Sequence, residues 1–247
     1  MTKTADFSIF SVLVMGSNRG IGLSLVKRFL VLPCPPKWVF ATTRDLNAEK
    51  SQEVKELACR HPDLVLLQLD VTKLESIQAA LKEVERSVGE GGLTILMNNA
   101  GVWTFNNPEI ENANDVMRVY SVHTIGPLQI SQAFLPLLKK AAQRTPQQGL
   151  SCSKAAIINT SSSAGSFEVM LLWDRWKVIG YRCSKAALNM LTKCQSLEYP
   201  TYGILCICIH PGWVRMNYKD VSALTWEKEK PIQTCTHMQM NDLMMSP

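Results

Sequence analysis

The sequence predicts an α/β fold: one doubly wound parallel sheet with helices on both faces. Three observations carry that prediction. Short apolar runs alternate with helix-patterned stretches along the chain, the runs are apolar throughout rather than at every second position, and a polar or glycine-rich cluster follows nearly every run. Strands covered on both faces read as continuous apolar runs, and helical crossovers between them make the sheet parallel. Ligands of such sheets bind at the carboxyl ends of the strands. "GSNRGIG", "TTRD", "DVT", "NNAG", "NTSSSAG" and "HPGW" all fall there.

The elements follow in order. "FSIFSVLVMG" is strand-like and leads into "GIGLSLVKRFLVL", whose apolar residues recur at helical spacing. "KWVFATTRD" is a second strand and "EKSQEVKELACR" a helix. "DLVLLQLDV" is a third strand, followed by the amphipathic "LESIQAALKEVERSV". "LTILMNNAG" is a fourth, and a long helical region covers roughly 109–143. "KAAIINTSSS" is a fifth strand, "YRCSKAALNMLTKCQSLEY" a helix ended by Pro200, and "GILCICIHPGW" a sixth strand. The order βαβαβ…βαβαβ is that of a dinucleotide-type, Rossmann-like sheet.

The 247 residues fit one large domain, with no solenoid period and no low-complexity linker. We read residues 1–229 as that domain and 230–247 as an atypical tail. A net charge of +5 with scattered lysines and arginines leaves no nucleic-acid footprint. No apolar stretch reaches the roughly 20 residues of a membrane span. The apolar run near the N-terminus passes straight into a glycine turn without a cleavage site, so a first strand is the better reading than a signal peptide. The eight cysteines form no zinc-type spacing. They are expected to be reduced thiols, many in the core, of a cytoplasmic protein with no metal site.

Gly16, Gly20 and Gly22 lie between the first strand and first helix. Glycine permits the tight turn and lets backbone approach a pyrophosphate, and the helix start offers N–H groups and partial positive charge. The spacing GxxxGxG also fits an ordinary strand–helix turn. At the end of the second strand, an acid favours NAD and an arginine accommodates a 2′-phosphate. Thr43 stands where the acid would be, Arg44 follows, and Arg19 adds a second guanidinium, which favours NADP(H). The alternative makes Asp45 the ribose acid and leaves Arg44 in solvent.

Together, "GSNRGIG", Asp70 in "LDV", "NNAG" at 98–101, "NTSSSAG" at 159–165, "YRCSK" at 181–185 and "HPGWV" at 210–214 resemble the short-chain dehydrogenase/reductase family, in family order over most of the chain. "NRGIGLSLVKRFL", "YRCSKAALNMLTK" and "IHPGWV" carry a closer similarity to its carbonyl-reductase branch, which includes sniffer and the bacterial C-factor. The resemblance implies that Tyr181 gives a proton to a carbonyl oxygen while hydride arrives from the nicotinamide. Lys185, one helical turn on, would stabilise the phenolate and hold the nicotinamide ribose. Ser162 would polarise the carbonyl, with Ser161 and Ser163 as loop-stabilising alternatives. The cofactor would contact Gly16, Ser17, Asn18, Arg19, Gly20, Ile21 and Gly22, then Arg44, Asp70 and Val71 at the adenosine end, Asn98 and Asn99 beneath it, and Val214. Asp70 can also be read as an N-cap for the next helix. "SAGSFEVMLLWDRWKVIG" would border the substrate or fold as a bland surface loop.

Three departures qualify the match. His123 takes the position of the family asparagine that anchors a relay water, and it is either a relay group or a locally bonded helix histidine. Met15 and Met216 replace residues that are often threonine, each removing a hydroxyl. "KPIQTCTHMQMNDLMMSP" lacks the pattern of the family's last helix and seventh strand, as an alternatively spliced or frame-shifted end would, and an uncovered sixth strand would be an exposed edge. The leading expectation is therefore an NADPH-dependent reductase of a small-molecule carbonyl (aldehyde, ketone or quinone), with neither nucleic acid nor membrane as partner. A homodimer is expected, because the family usually pairs through helices. The rival is a degenerate dinucleotide-binding or regulatory homologue. An S-adenosylmethionine enzyme would leave "YRCSK" and "NNAG" without a purpose.

Overall fold

The structure is a computed structural model that describes residues 8–144, 146, 148–170 and 173–212. Six strands alternate with six helices in it: β1 Ser11–Val14, α1 Gly20–Leu30, β2 Trp38–Thr43, α2 Gln52–Arg60, β3 Leu64–Gln68, α3 Leu74–Val88, β4 Ile95–Asn98, α4 Ala113–Tyr120, α5 Gly126–Arg144, β5 Ala156–Thr160, α6 Ile179–Glu198 and β6 Leu205–Ile209. All strands pair in parallel in the order β3-β2-β1-β4-β5-β6. This is the doubly wound α/β sheet that the sequence predicts.

The alternation of side chains along β1 sets up two cores. Val12 and Val14 face a layer with Leu23, Val26 and Phe29 of α1 and Val54 and Leu57 of α2. Leu13 and the following Met15 face Ile77 and Val84 of α3 and Ile130, Phe134 and Leu138 of α5. Both faces are dry, which is why the strands carry no polar alternation. The strand order reverses between β1 and β4, so the carboxyl ends of these two strands frame the crevice where such sheets bind ligands.

The helical region expected over roughly 109–143 is present over 113–144, and it carries one irregularity. A π-type turn over Ser121–Ile125 separates α4 from α5, and the Gly126 N–H reaches back to the Ser121 carbonyl. Pro127, just past this π turn, has no N–H to return to the His123 carbonyl four residues earlier, so that α-helical bond is missing here. The cysteines also depart from expectation. Among the described residues none is in a disulfide, but only Cys152 and Cys206 are buried, while Cys34, Cys59, Cys183 and Cys194 are exposed. The tail 230–247, read as lacking the family's last helix and seventh strand, lies outside the described residues together with Val214 and Met216, and β6 ends the described sheet.

Candidate active site

At the end of β1 the chain turns sharply, with Gly16 at φ 71°. A Cβ there would meet the Ala100 backbone at 2.9 Å, and one at Gly22 would lie 2.2 Å from the Gly16 carbonyl. The turn is tied down from both neighbouring strands. Asn99 Nδ2 donates to the Met15 carbonyl at 3.1 Å, and the Gly16 N–H donates to Thr42 Oγ1 at 3.1 Å. Ser17 is fully buried, and its hydroxyl donates to the Val14 carbonyl at 2.7 Å. Helix α1 starts at Gly20 with no side-chain cap and no acid in its first turn. Its first N–H groups and dipole therefore suit an anion, and a dinucleotide pyrophosphate fits this cradle. Asn18 and Ile21 line the turn half-exposed, and Arg19 is exposed.

Arg44 is exposed just past β2. The alternative acid, Asp45, is committed to its own turn, where Oδ1 accepts from the Asn47 N–H at 2.7 Å. Asp70 accepts from the Thr72 N–H at 3.0 Å and the Thr72 hydroxyl at 2.7 Å. The N-cap of α3 is Lys73, so Asp70 closes a local turn and does not cap that helix. Burial alone would raise the Asp70 carboxyl. The two Thr72 bonds outweigh it, Arg44 and Lys73 add their charge, and the group lies below the ordinary carboxylate range. Val71 beside it is buried. Asn98 faces inward, with Nδ2 donating to Asn159 Oδ1 at 2.8 Å. Of the "NNAG" pair, Asn99 meets the glycine turn and Asn98 holds the core.

The loop after β5 separates the three serines. Ser161 is buried and its hydroxyl bonds Asn189 Oδ1 at 2.5 Å. Ser162 is half-exposed, and its Oγ accepts from the Ala164 N–H at 3.1 Å. Ser163 opens a short helical turn, Ser163–Gly165. Tyr181 and Lys185 lie one turn apart on α6, with Lys185 Nζ 5.7 Å from the centre of the Tyr181 ring. Nζ donates to the Thr160 carbonyl at 2.7 Å. Burial brings the Lys185 amine down from 10.5 to about 7. One face of the Tyr181 ring is covered by Trp103 at 4.0 Å between centres, and the His123 ring meets it edge-on at 5.3 Å.

Residues 11–224 match the family model described as short chain dehydrogenase. The chain belongs to that family. Similar solved structures include the NADPH-bound carbonyl reductase from chicken fatty liver, 46% identical with a TM-score of 0.84, covering 96% of this chain and 84% of that one. Another is the carbonyl reductase Sniffer of D. melanogaster, 35% identical with a TM-score of 0.81, covering 87% of this chain and 85% of the other. An uncharacterized oxidoreductase of Schizosaccharomyces pombe is 33% identical over 219 residues, 88% of this chain and 79% of its own length. Carbonyl reductases are thus the branch of the short-chain dehydrogenases that this chain resembles, as its motifs imply.

His123 of this short-chain dehydrogenase is fully bonded. Its Nε2 accepts the Val102 N–H at 3.0 Å and its Nδ1 lies 2.9 Å from Ser184 Oγ. The Ser184 hydroxyl donates to the Tyr181 carbonyl at 2.7 Å, so Nδ1 carries the proton and the ring is neutral. Burial, with the Lys185 charge second, lowers its pKa from 6.5 to about 2. The unfolded chain protonates this histidine below about pH 6.5 and the folded one does not, so stability falls as the pH drops from 6.5 towards 2. Between pH 6 and 4 the unfolding free energy of His123→Asn should fall less steeply than that of the parent. The difference should approach about 1.4 kcal/mol per pH unit in urea titrations.

Several residues of the site carry no motif. Thr42 Oγ1 accepts the Gly16 N–H and donates to Met15 Sδ at 3.6 Å, tying the glycine turn to β2. Asn189 fixes the serine loop through Ser161 and through the Gly165 carbonyl at 3.2 Å. Trp103 follows "NNAG" by two residues and meets Phe105 and Trp176 as well as Tyr181. The aromatic count of the 166–178 stretch signals such a wall in sequence, but not its contact with Trp103. Among the described residues no helix is long and apolar enough to cross a membrane, and no group of metal-type side chains assembles.

Proposed function

We propose that this chain is an NADPH-dependent carbonyl reductase that reduces an aldehyde, ketone or quinone, with Tyr181 as the general acid. The observation that carries this reading is the Tyr181–Lys185 pair. The lysine is only 5% exposed, bonded to Thr160 and poised near neutrality beside the phenol. An ammonium costs free energy in so dry a place, and a site that performs proton transfer gives a reason for keeping it there.

The glycine turn and the start of α1 would hold the pyrophosphate. Arg44 and Arg19 would hold the 2′-phosphate, and Asp70 and Val71 the adenine. Bound NADPH would supply the hydride. Tyr181 would release its proton to the carbonyl oxygen, and Lys185 would stabilise the phenolate left behind. Ser162, half-exposed just after β5, would donate to the same oxygen. The neutral His123 ring would brace the segment at Val102 against α6 rather than shuttle a proton, since both its nitrogens have protein partners. The aromatic wall of Trp103, Trp176 and Phe105 would favour hydrophobic carbonyls. We further assign residues 1–229 as one catalytic domain, and a homodimer as its state in solution.

The test is oxidation of NADPH and of NADH, followed by absorbance, against a panel of quinones and aromatic aldehydes. Turnover with NADPH supports the reading. Tight NADPH binding without turnover would favour the dinucleotide-binding homologue. In the same assay Arg44→Ala should raise the KM for NADPH about tenfold and leave that for NADH nearly unchanged, since one charge-assisted contact to the 2′-phosphate is lost.

A further inference from the structure

We propose that Glu111 is a positioning residue for Tyr181 and acts through the first turn of α6. The inference rests on the reading of Tyr181 as the general acid. Helix α6 starts without a cap of its own. Its N-cap residue, Val178, makes no side-chain cap bond, and no acidic residue lies in its first turn. Its first N–H groups are satisfied instead by the loop that follows β4. The Asn106 carbonyl accepts the Ile179 N–H at 3.2 Å, and Glu111 Oε2 accepts the Gly180 N–H at 2.9 Å. Tyr181 is the next residue.

The carboxylate is itself held. Glu111 Oε1 accepts from Asn106 Nδ2 at 2.9 Å and from the Asn112 N–H at 3.1 Å, and Asn106 Nδ2 also bonds Asp115 Oδ2 at 2.8 Å. Both oxygens are therefore engaged, and the negative charge sits at the positive end of the α6 dipole. Gly180 makes the approach possible, since a Cβ there would lie 2.7 Å from Glu111 Oε2. The N-cap residue Val178, two residues before Gly180, is in the left-handed region with φ 34° and ψ 52°. A β-branched residue takes that backbone only where its surroundings hold it. Arg182 supplies part of the hold, donating to the Trp176 and Lys177 carbonyls at 3.0 and 3.1 Å. Asn106 and Glu111 add restraint at the next two residues, through the Ile179 and Gly180 N–H groups.

One segment thus joins three parts of the site. Asn99 ties down the glycine turn, Trp103 covers the Tyr181 ring, and Asn106 and Glu111 set where α6 begins. Without the carboxylate, the strained start of α6 has fewer restraints and Tyr181 moves with it.

Two variants of the full chain test this. Glu111→Ala removes the carboxylate. Gly180→Ala leaves it present but displaced; its Cβ crowds only the movable end of the Glu111 side chain, and alanine is the better helix former, so this variant is expected to fold even if the first does not. Crystal structures of both should show the Tyr181 ring shifted by about 1 Å relative to Ser162, with kcat lowered about ten- to a hundredfold and NADPH affinity within about twofold of the parent. Tyr181 at its parental position in these variants would overturn the proposal. So would kcat and NADPH affinity falling in parallel. A parent chain inactive on the whole panel would count against the reductase reading alone, because the displacement of Tyr181 still decides the positioning role.

Discussion

Tyr181→Phe should lower kcat by about 10²–10⁴-fold, the range a positioned general acid contributes, with NADPH affinity within about twofold of the parent. The structure makes this a clean test of the hydroxyl. The Tyr181 ring is packed between Trp103, 4.0 Å away at an interplanar angle of 44°, and the edge of His123 at 5.3 Å and 88°. Phenylalanine fills that slot with the same ring, and α6 keeps its cap from Asn106 and Glu111. The melting temperature should therefore stay close to that of the parent, and a fall in kcat can be assigned to the lost proton donor. The measurement is steady-state kinetics beside a fluorescence titration with NADPH. Turnover within tenfold of the parent would remove Tyr181 from the general-acid role.

The strands were legible because each lies between two apolar layers and so reads as a block, from "SVLV" in β1 to "LCICI" in β6. The glycine turn and the Tyr181–Lys185 spacing were legible because local backbone geometry demands them. The polar ties between segments were not. Thr42 meets Gly16 across 26 residues of chain, and Asn159 gathers Asn98, Thr192 and Gln195 from two other elements. Such bonds leave no period in the sequence, since each involves one polar side chain at an otherwise apolar position. Glu111 reads as one more acid in a charged loop, and only the glycine before Tyr181 marks its approach. The π turn around His123 did have a local correlate, because Pro127 stands four residues later and lacks the N–H an α-helix requires.

Lys185→Met should move activity and stability in opposite directions. The parent keeps the Lys185 ammonium at 5% exposure, with its pKa lowered by burial from 10.5 to about 7. The unfolded chain holds this proton up to about pH 10.5 and the folded chain gives it up above about 7. Between those values the unfolded state binds more protons, so stability rises with pH by up to about 1.4 kcal/mol per unit. Below pH 7 the whole penalty is present. Methionine fills nearly the same volume with no charge. It leaves the Thr160 carbonyl without its 2.7 Å donor, a loss of about 1–3 kcal/mol, which is smaller than the several kcal/mol of charge burial it removes. The dinucleotide-free variant should therefore unfold at higher urea than the parent at pH 7, and the gap should narrow and then reverse as the pH approaches 10. Turnover should fall about 10²-fold or more, because the phenolate of Tyr181 loses its cation. A parent whose stability is flat from pH 7 to 10 would show that Lys185 keeps an ordinary proton affinity in the folded chain, and its burial would then need a counter-charge. A variant both less stable at pH 7 and inactive would make Lys185 a structural strut rather than a charge held at a cost for catalysis.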